Sequence, residues 1–164
     1  MKHEIIVMKG VKVIGMGKEI AMNKGAEDCP KFWQEYGEKY MKPISEGRVE
    51  NEMQKAVMEN HVGEYALCIC HETDKFQYVI AGTYQGGPVP EGMKVYDLPE
   101  GRWVKFYFEG GMAAFHQQYS EVYQQWAPAH PELPLRFDMN VEWYCGMDLE
   151  SPDYPCGLMV PIKE

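Results

Sequence analysis

One order of elements occurs twice along this chain, and that repetition constrains the fold more tightly than any total. Residues 11–20 (VKVIGMGKEI) read as a strand, with an extension back to residues 4–8. Residues 29–44 read as a helix: Phe32, Trp33, Tyr36, Tyr40 and Met41 return every three or four positions and form one apolar stripe, and Pro30 suits a first helical turn. Residues 49–60 are open between a short helix and a loop, and residues 64–71 and 76–84 read as two strands around a polar turn. Gly86, Gly87, Pro88 and Pro90 then break the chain. The order starts again with strand at 94–109, interrupted by Pro99-Glu100-Gly101, and a helix at 113–126 whose stripe is Phe115, Tyr119, Val122, Tyr123 and Trp126. A proline-containing loop at 128–134 leads to strands at 135–145 and 157–162. Each half thus reads strand, helix, strand, strand. Two such halves predict an α+β fold of duplicated βαββ units with pseudo-twofold symmetry, an antiparallel sheet and two long helices on one face. The opposite face is then free to form a concave site. A single domain over 1–164 is expected, with pseudo-repeats about 1–86 and 87–164.

The strand at 135–145 (LRFDMNVEWYC) alternates almost without fault. Phe137, Met139, Val141, Trp143 and Cys145 fall on one face; Asp138, Asn140, Glu142 and Tyr144 fall on the other. The apolar face is expected to lie towards the helices. The second face is either wet or the floor of a pocket, in which a carboxylate beside aromatic rings would attract a cation with an apolar body.

Hydrophobic residues make up 45% of the 164, enough for a core. Aromatics reach 13% and methionines number 12, which fits either an aromatic core or an adaptable apolar surface. The net charge of −9, without a long basic run, argues against nucleic acid as a partner. No window approaches the ~18 apolar residues of a membrane span, and the N-terminus lacks the pattern of a signal peptide. A cytosolic chain with no membrane partner is expected, and five cysteines without framework spacing fit reduced thiols.

No cofactor and no metal are expected. Cys68, Cys70 and His71 alternate faces of a strand, and no second ligand pair follows. There is no GxSxG elbow, and Gly86-Gly87-Pro88 lacks the lysine and helix of a phosphate loop.

The stretches CPKFWQEY, KFQYVIAG, VPEGMKVYDLPEGRWVKFYFEGG, AAFHQQYSEVYQQWAP, VEWY and the closing VPIK, in this order, resemble the GyrI-like small-molecule-binding domain. This is the effector-binding domain also found fused to AraC-type and MerR-type multidrug-responsive regulators. The resemblance covers nearly the whole chain. It implies a central ligand cleft between the two halves and a pocket glutamate, which falls on Glu142 through the Glu-x-Tyr pattern; Trp33 and Tyr36 match the helix-one positions of the family. Two departures stand out. The segment FDMNVEWY is longer than the family's Phe-Glu-x-Tyr type, and the chain has no room for the regulators' DNA-binding domain.

The candidate ligand-binding residues are Glu142, Tyr144, Trp33, Tyr36, Tyr107 and Trp103; Trp103, Lys105 and Tyr107 share a strand face by period two. Glu142 is either an exposed strand glutamate or the group that captures a cation or moves a proton, and each ring is either core or pocket wall. The leading expectation is a stand-alone module holding a hydrophobic, cationic small molecule, without nucleic acid, as monomer or homodimer. The resemblance also implies two alternatives. One is a hydrolase of strained, cyclopropane-containing electrophiles in which Glu142 is catalytic. The other is a protein-interaction role like that of a gyrase inhibitor.

Overall fold

The computed structural model describes residues 1–164 and has an α+β fold. Its elements are strands β1 (His3–Met8) and β2 (Lys12–Ala21), helix α1 (25–45), helix α2 (Glu52–Glu59), and strands β3 (Tyr65–Ile69), β4 (Lys75–Thr83), β5 (Lys94–Asp97) and β6 (Gly101–Tyr107). Helix α3 (111–129) and strands β7 (Met139–Tyr144) and β8 (Cys156–Pro161) complete the chain. No helix is long and apolar enough to cross a membrane.

Two compact units arise, one from Met1–Gly10 with Pro99–Glu164 and the other from Val11–Leu98. Each contains an antiparallel four-stranded sheet with the same strand plan. In the first unit the order is β1-β6-β8-β7. In the second it is β5-β2-β4-β3. Each unit therefore has the expected βαββ core, β6-α3-β7-β8 and β2-α1-β3-β4. Each core strand β6 and β2 also carries an edge strand that stands elsewhere in sequence. β1 does not continue into β2: Gly10, with φ of 65°, turns the chain, and β1 is hydrogen-bonded along β6 from His3↔Phe106 to Met8↔Gly101.

The long helices are continuous but not uniform. Helix α1 runs as α-helix through Gly25–Tyr36, widens to a π turn at Gly37–Met41 and finishes as α-helix at Lys42–Ser45. Helix α3 starts with a 3-10 turn at Gly111–Ala114, becomes α-helical at Phe115–Glu121, widens at Val122–Trp126 and ends at Ala127–Ala129. Both π turns stop just before a proline, Pro43 and Pro128. Proline has no N–H to donate and its ring crowds the carbonyl four residues back; a wider turn relieves that clash and lets the helix run on. Residues 128 and 129, expected in a loop, are helical for this reason. The open segment at 49–60 resolves as helix α2 because the Asn51 side chain caps it, accepting the Gln54 N–H at 2.8 Å.

In the first unit the core lies between α3 and its sheet. Val104 and Phe106 of β6, Leu158 and Val160 of β8, and Phe115, Val122 and Trp126 of α3 are buried together. In the second unit α1 covers β4: the Phe32 and Phe76 rings each stand edge-on to Tyr78 at 6.4 Å.

Candidate functional site

The expected faces of the strand at 135–145 are inverted. Glu142 is paired with Leu158, which is paired in turn with Phe106. Directly opposed residues share a face, and Leu158 and Phe106 belong to the core under α3. Asn140, Glu142 and Tyr144 therefore face the helix, while Met139, Val141 and Trp143 face away from it. Neither face is wet: Asn140 is 5% exposed, Val141 0% and Glu142 8%.

Two features set this register. Gly157 stands opposite Trp143, and a Cβ there would come within 2.7 Å of the indole nitrogen. The bare backbone lets the indole lie across it and donate to the Phe106 carbonyl at 3.1 Å. The Tyr107 ring and the Lys105 ammonium, 5.3 and 4.6 Å from the Trp143 ring, cover it on that side. On the other side α3 presents hydroxyls rather than a purely apolar stripe, so polar residues can face it. The strand is also shorter than expected. Leu135 makes a single bridge to Ile162, and Arg136 clasps Asp138 at 2.9 and 2.5 Å across a bend. Phe137 consequently stands 60% exposed instead of under the helix.

Around Glu142 the first unit assembles a polar centre in an aromatic wall. The Tyr144 hydroxyl donates to Glu142 Oε1, and the Tyr144 ring stacks on Phe115 at 5.7 Å. Asn140 Nδ2 donates to the Tyr119 hydroxyl at 2.7 Å and the Tyr123 hydroxyl at 2.9 Å. Those rings lie 5.5 Å apart, and Phe115 is 6.4 Å from Tyr119. Chemically, a buried carboxylate steadied by a phenol can neutralise a cation, and the rings can receive its apolar body.

Of the expected residues, the structure brings Tyr144 to Glu142. It separates Trp103 and Tyr107 from them. These side chains share the period-two row of Lys105 on β6, on the sheet face away from α3 and Glu142. Trp103 is fully buried and donates to the Pro99 carbonyl at 3.0 Å, the part of a core residue. The Tyr107 hydroxyl donates to Glu4 at 2.5 Å, which pushes its pKa above the ordinary phenol value, and Lys2 and Lys105 stand over its ring. A surface groove of about 240 Å³ runs beside Tyr107, Trp143 and Lys2 and does not include Glu142.

In the second unit Trp33 and Tyr36 come together. Trp33 Nε1 donates to the Tyr78 hydroxyl at 2.8 Å, and its ring stands edge-on to Tyr36 at 5.8 Å. Tyr36 is buried and donates to the Val62 carbonyl; burial, then the neighbouring Tyr40, hold its hydroxyl well above the usual tyrosine pKa.

Asn140, Tyr119 and Tyr123 escape the sequence reading as members of this polar centre. The helical stripe marks both tyrosines as core, and the alternation places Asn140 beside Glu142 without saying that the shared face meets those hydroxyls.

The fold has counterparts among solved structures. The protein SAV2435, solved bound to tetraphenylphosphonium, superposes with a TM-score of 0.75 at 19% identity over 99% of this chain and 94% of that one. The integron cassette protein VCH_CASS2 of Vibrio cholerae gives 0.61 at 15% identity over 98% and 95%. A hydrolase of Listeria innocua gives 0.54 at 13% identity over 99% and 92%. A search of curated protein sequences finds no match. The likenesses establish a shared α+β fold. The sequence model of the integron-associated effector binding proteins matches residues 4–162, and the chain therefore belongs to that family, Cass2.

Proposed function

We propose that this effector-binding protein holds a lipophilic cation, with Glu142 as the neutralising group and Tyr144, Phe115, Tyr119 and Tyr123 as the surrounding wall. One observation carries the reading: a carboxylate only 8% exposed sits on the helix-facing side of β7 among aromatic rings. Burying a charge there costs stability unless a partner compensates. The Tyr144 hydroxyl supplies one hydrogen bond; a bound cation would supply the opposite charge. Each ring that faces the cation adds about 0.5–2 kcal/mol according to how dry the contact is.

Tetraphenylphosphonium, the cation held by SAV2435, is a suitable probe. Titration calorimetry with it should give a Kd of roughly micromolar, about −8 kcal/mol. Triphenylphosphine oxide, which has similar rings and no net charge, should bind far more weakly. Equal affinities for the two compounds would remove charge as the basis of recognition.

The hydrogen-bonded Glu142–Tyr144 pair favours one second reading, hydrolysis of a strained electrophile, with the carboxylate as acid or base and the phenol orienting water.

A further inference from the structure

Resting on the cation reading above, a neighbouring group points to the ligand's chemistry. Asn140 is 5% exposed on β7 and its Oδ1 is buried without a hydrogen-bond partner. Both Nδ2 hydrogens are committed, one to the Tyr119 hydroxyl at 2.7 Å and one to the Tyr123 hydroxyl at 2.9 Å. Those two hydroxyls are held in turn by α3, where the π turn at Val122–Trp126 places Tyr123 beside the end of the regular helix that carries Tyr119. The amide plane is therefore fixed from the helix side, and its oxygen is left as an oriented acceptor.

Buried acceptors in folded proteins almost always have a donor. An orphan costs about 1–3 kcal/mol, and an asparagine at a core position could have been replaced by leucine at no such cost. Asn140 and Glu142 lie two residues apart on the same face of the same strand, so their side chains start about 7 Å from each other. That span suits one cation whose charge is met by the carboxylate and whose hydrogen reaches the amide oxygen.

We infer that Asn140 Oδ1 is a specificity-determining acceptor for an N–H donor on the ligand, so that the site prefers protonated amines to quaternary cations of the same shape. The carboxylate attracts both classes; only the first can satisfy the amide oxygen. A quaternary cation leaves Oδ1 orphaned and places a methyl group against it.

The test uses a matched pair, protonated N,N-dimethyl-1-(2-naphthyl)methanamine and its N-methyl quaternary analogue, titrated calorimetrically at neutral pH. The intact protein should bind the protonated amine about tenfold more tightly, the factor expected of one hydrogen bond made by a charged donor. In Asn140→Leu the preference should vanish, chiefly through weaker binding of the amine, while the quaternary analogue keeps its affinity. If Asn140→Leu does not fold, the preference of the intact protein alone decides. Equal binding of both probes by the intact protein overturns the inference and leaves the cation reading standing. A preference that survives in folded Asn140→Leu also overturns it. Binding of neither probe sinks the cation reading, and the inference with it.

Discussion

Replacing Glu142 by glutamine removes one charge from a site that otherwise keeps its shape. The amide oxygen can still accept from Tyr144, so the local hydrogen bond survives. The magnitude follows from distance and screening. In tetraphenylphosphonium the phenyl groups keep the phosphorus about 6 Å from a carboxylate oxygen, and at an effective dielectric of about 20 the attraction is about 3 kcal/mol. The carboxylate is already withdrawn from water in the empty protein, at 8% exposure, so binding costs it little further hydration. Dehydration of the cation takes back part of the gain. The net loss in Glu142→Gln should be about 1–3 kcal/mol, a weakening of about 5- to 150-fold. Triphenylphosphine oxide should lose less than about twofold, since its contacts with the rings are untouched. The same substitution should leave the unliganded protein as stable or more stable in urea, because a neutral amide is cheaper to bury than a carboxylate. Calorimetry on both ligands and a urea melt on both proteins read all three quantities. Equal losses for the cation and the neutral compound would refute the electrostatic reasoning. So would a variant destabilised by several kcal/mol, because the carboxylate would then serve chiefly the fold.

Three other substitutions test the surroundings. In Gly157→Ala the new Cβ would meet the Phe106 carbonyl oxygen at 1.9 Å and the Trp143 indole nitrogen at 2.7 Å, so the urea midpoint should fall by the equivalent of about 3 kcal/mol. Tyr36→Phe orphans the Val62 carbonyl and should cost about 1–2 kcal/mol at neutral pH. Because burial holds the Tyr36 pKa above its unfolded value, the stability from its neutral form is complete below pH about 10 and is lost as the pH climbs further; Tyr36→Phe should flatten that alkaline decline in pH-dependent urea melts. If cyclopropane-containing electrophiles are hydrolysed, mass spectrometry should find product with the intact protein, none with folded Glu142→Gln, and a smaller loss with Tyr144→Phe. Unchanged turnover in Glu142→Gln would take the residue out of the reaction.

The elements that could be read in the sequence are those whose signal is local. The stripes Phe32–Tyr36–Tyr40 and Phe115–Tyr119–Trp126 identify both long helices, and the turn at 71–75 identifies the β3–β4 hairpin. What the sequence withheld depends on distant partners. The hydrogen bonds of β1 go to β6, about a hundred positions away, and nothing in HEIIVM specifies that edge over an extension of β2. The inversion of β7 has a different cause. Alternation separates two faces but labels neither, and on a strand buried on both sides apolarity no longer marks the one under the helix. The deciding residues were Gly157, which makes room for Trp143 on the far side, and Tyr119 and Tyr123, whose hydroxyls make the near side hospitable to Asn140. Trp103 and Tyr107 lie on the sheet face away from Glu142 by the same ambiguity.

The helix-facing side of β7 departs from what stability alone would select. A strand between a helix and a second packed face is most stable when both rows are apolar, as the helix-facing row Leu158 and Val160 is on the adjacent β8. Here three successive inward positions are asparagine, glutamate and tyrosine. Tyr144 bonds the glutamate, and Tyr119 with Tyr123 the amide nitrogen of Asn140; the amide oxygen is left without a donor. Such incomplete satisfaction is costly in a dry interior and is relieved by any molecule that brings positive charge and a donor to the same few ångströms. On the proposed reading, the residues that weaken the empty protein are the ones that select its occupant. Substitutions that make this row apolar should raise stability and abolish binding together, and that opposition separates a binding site from an imperfect core.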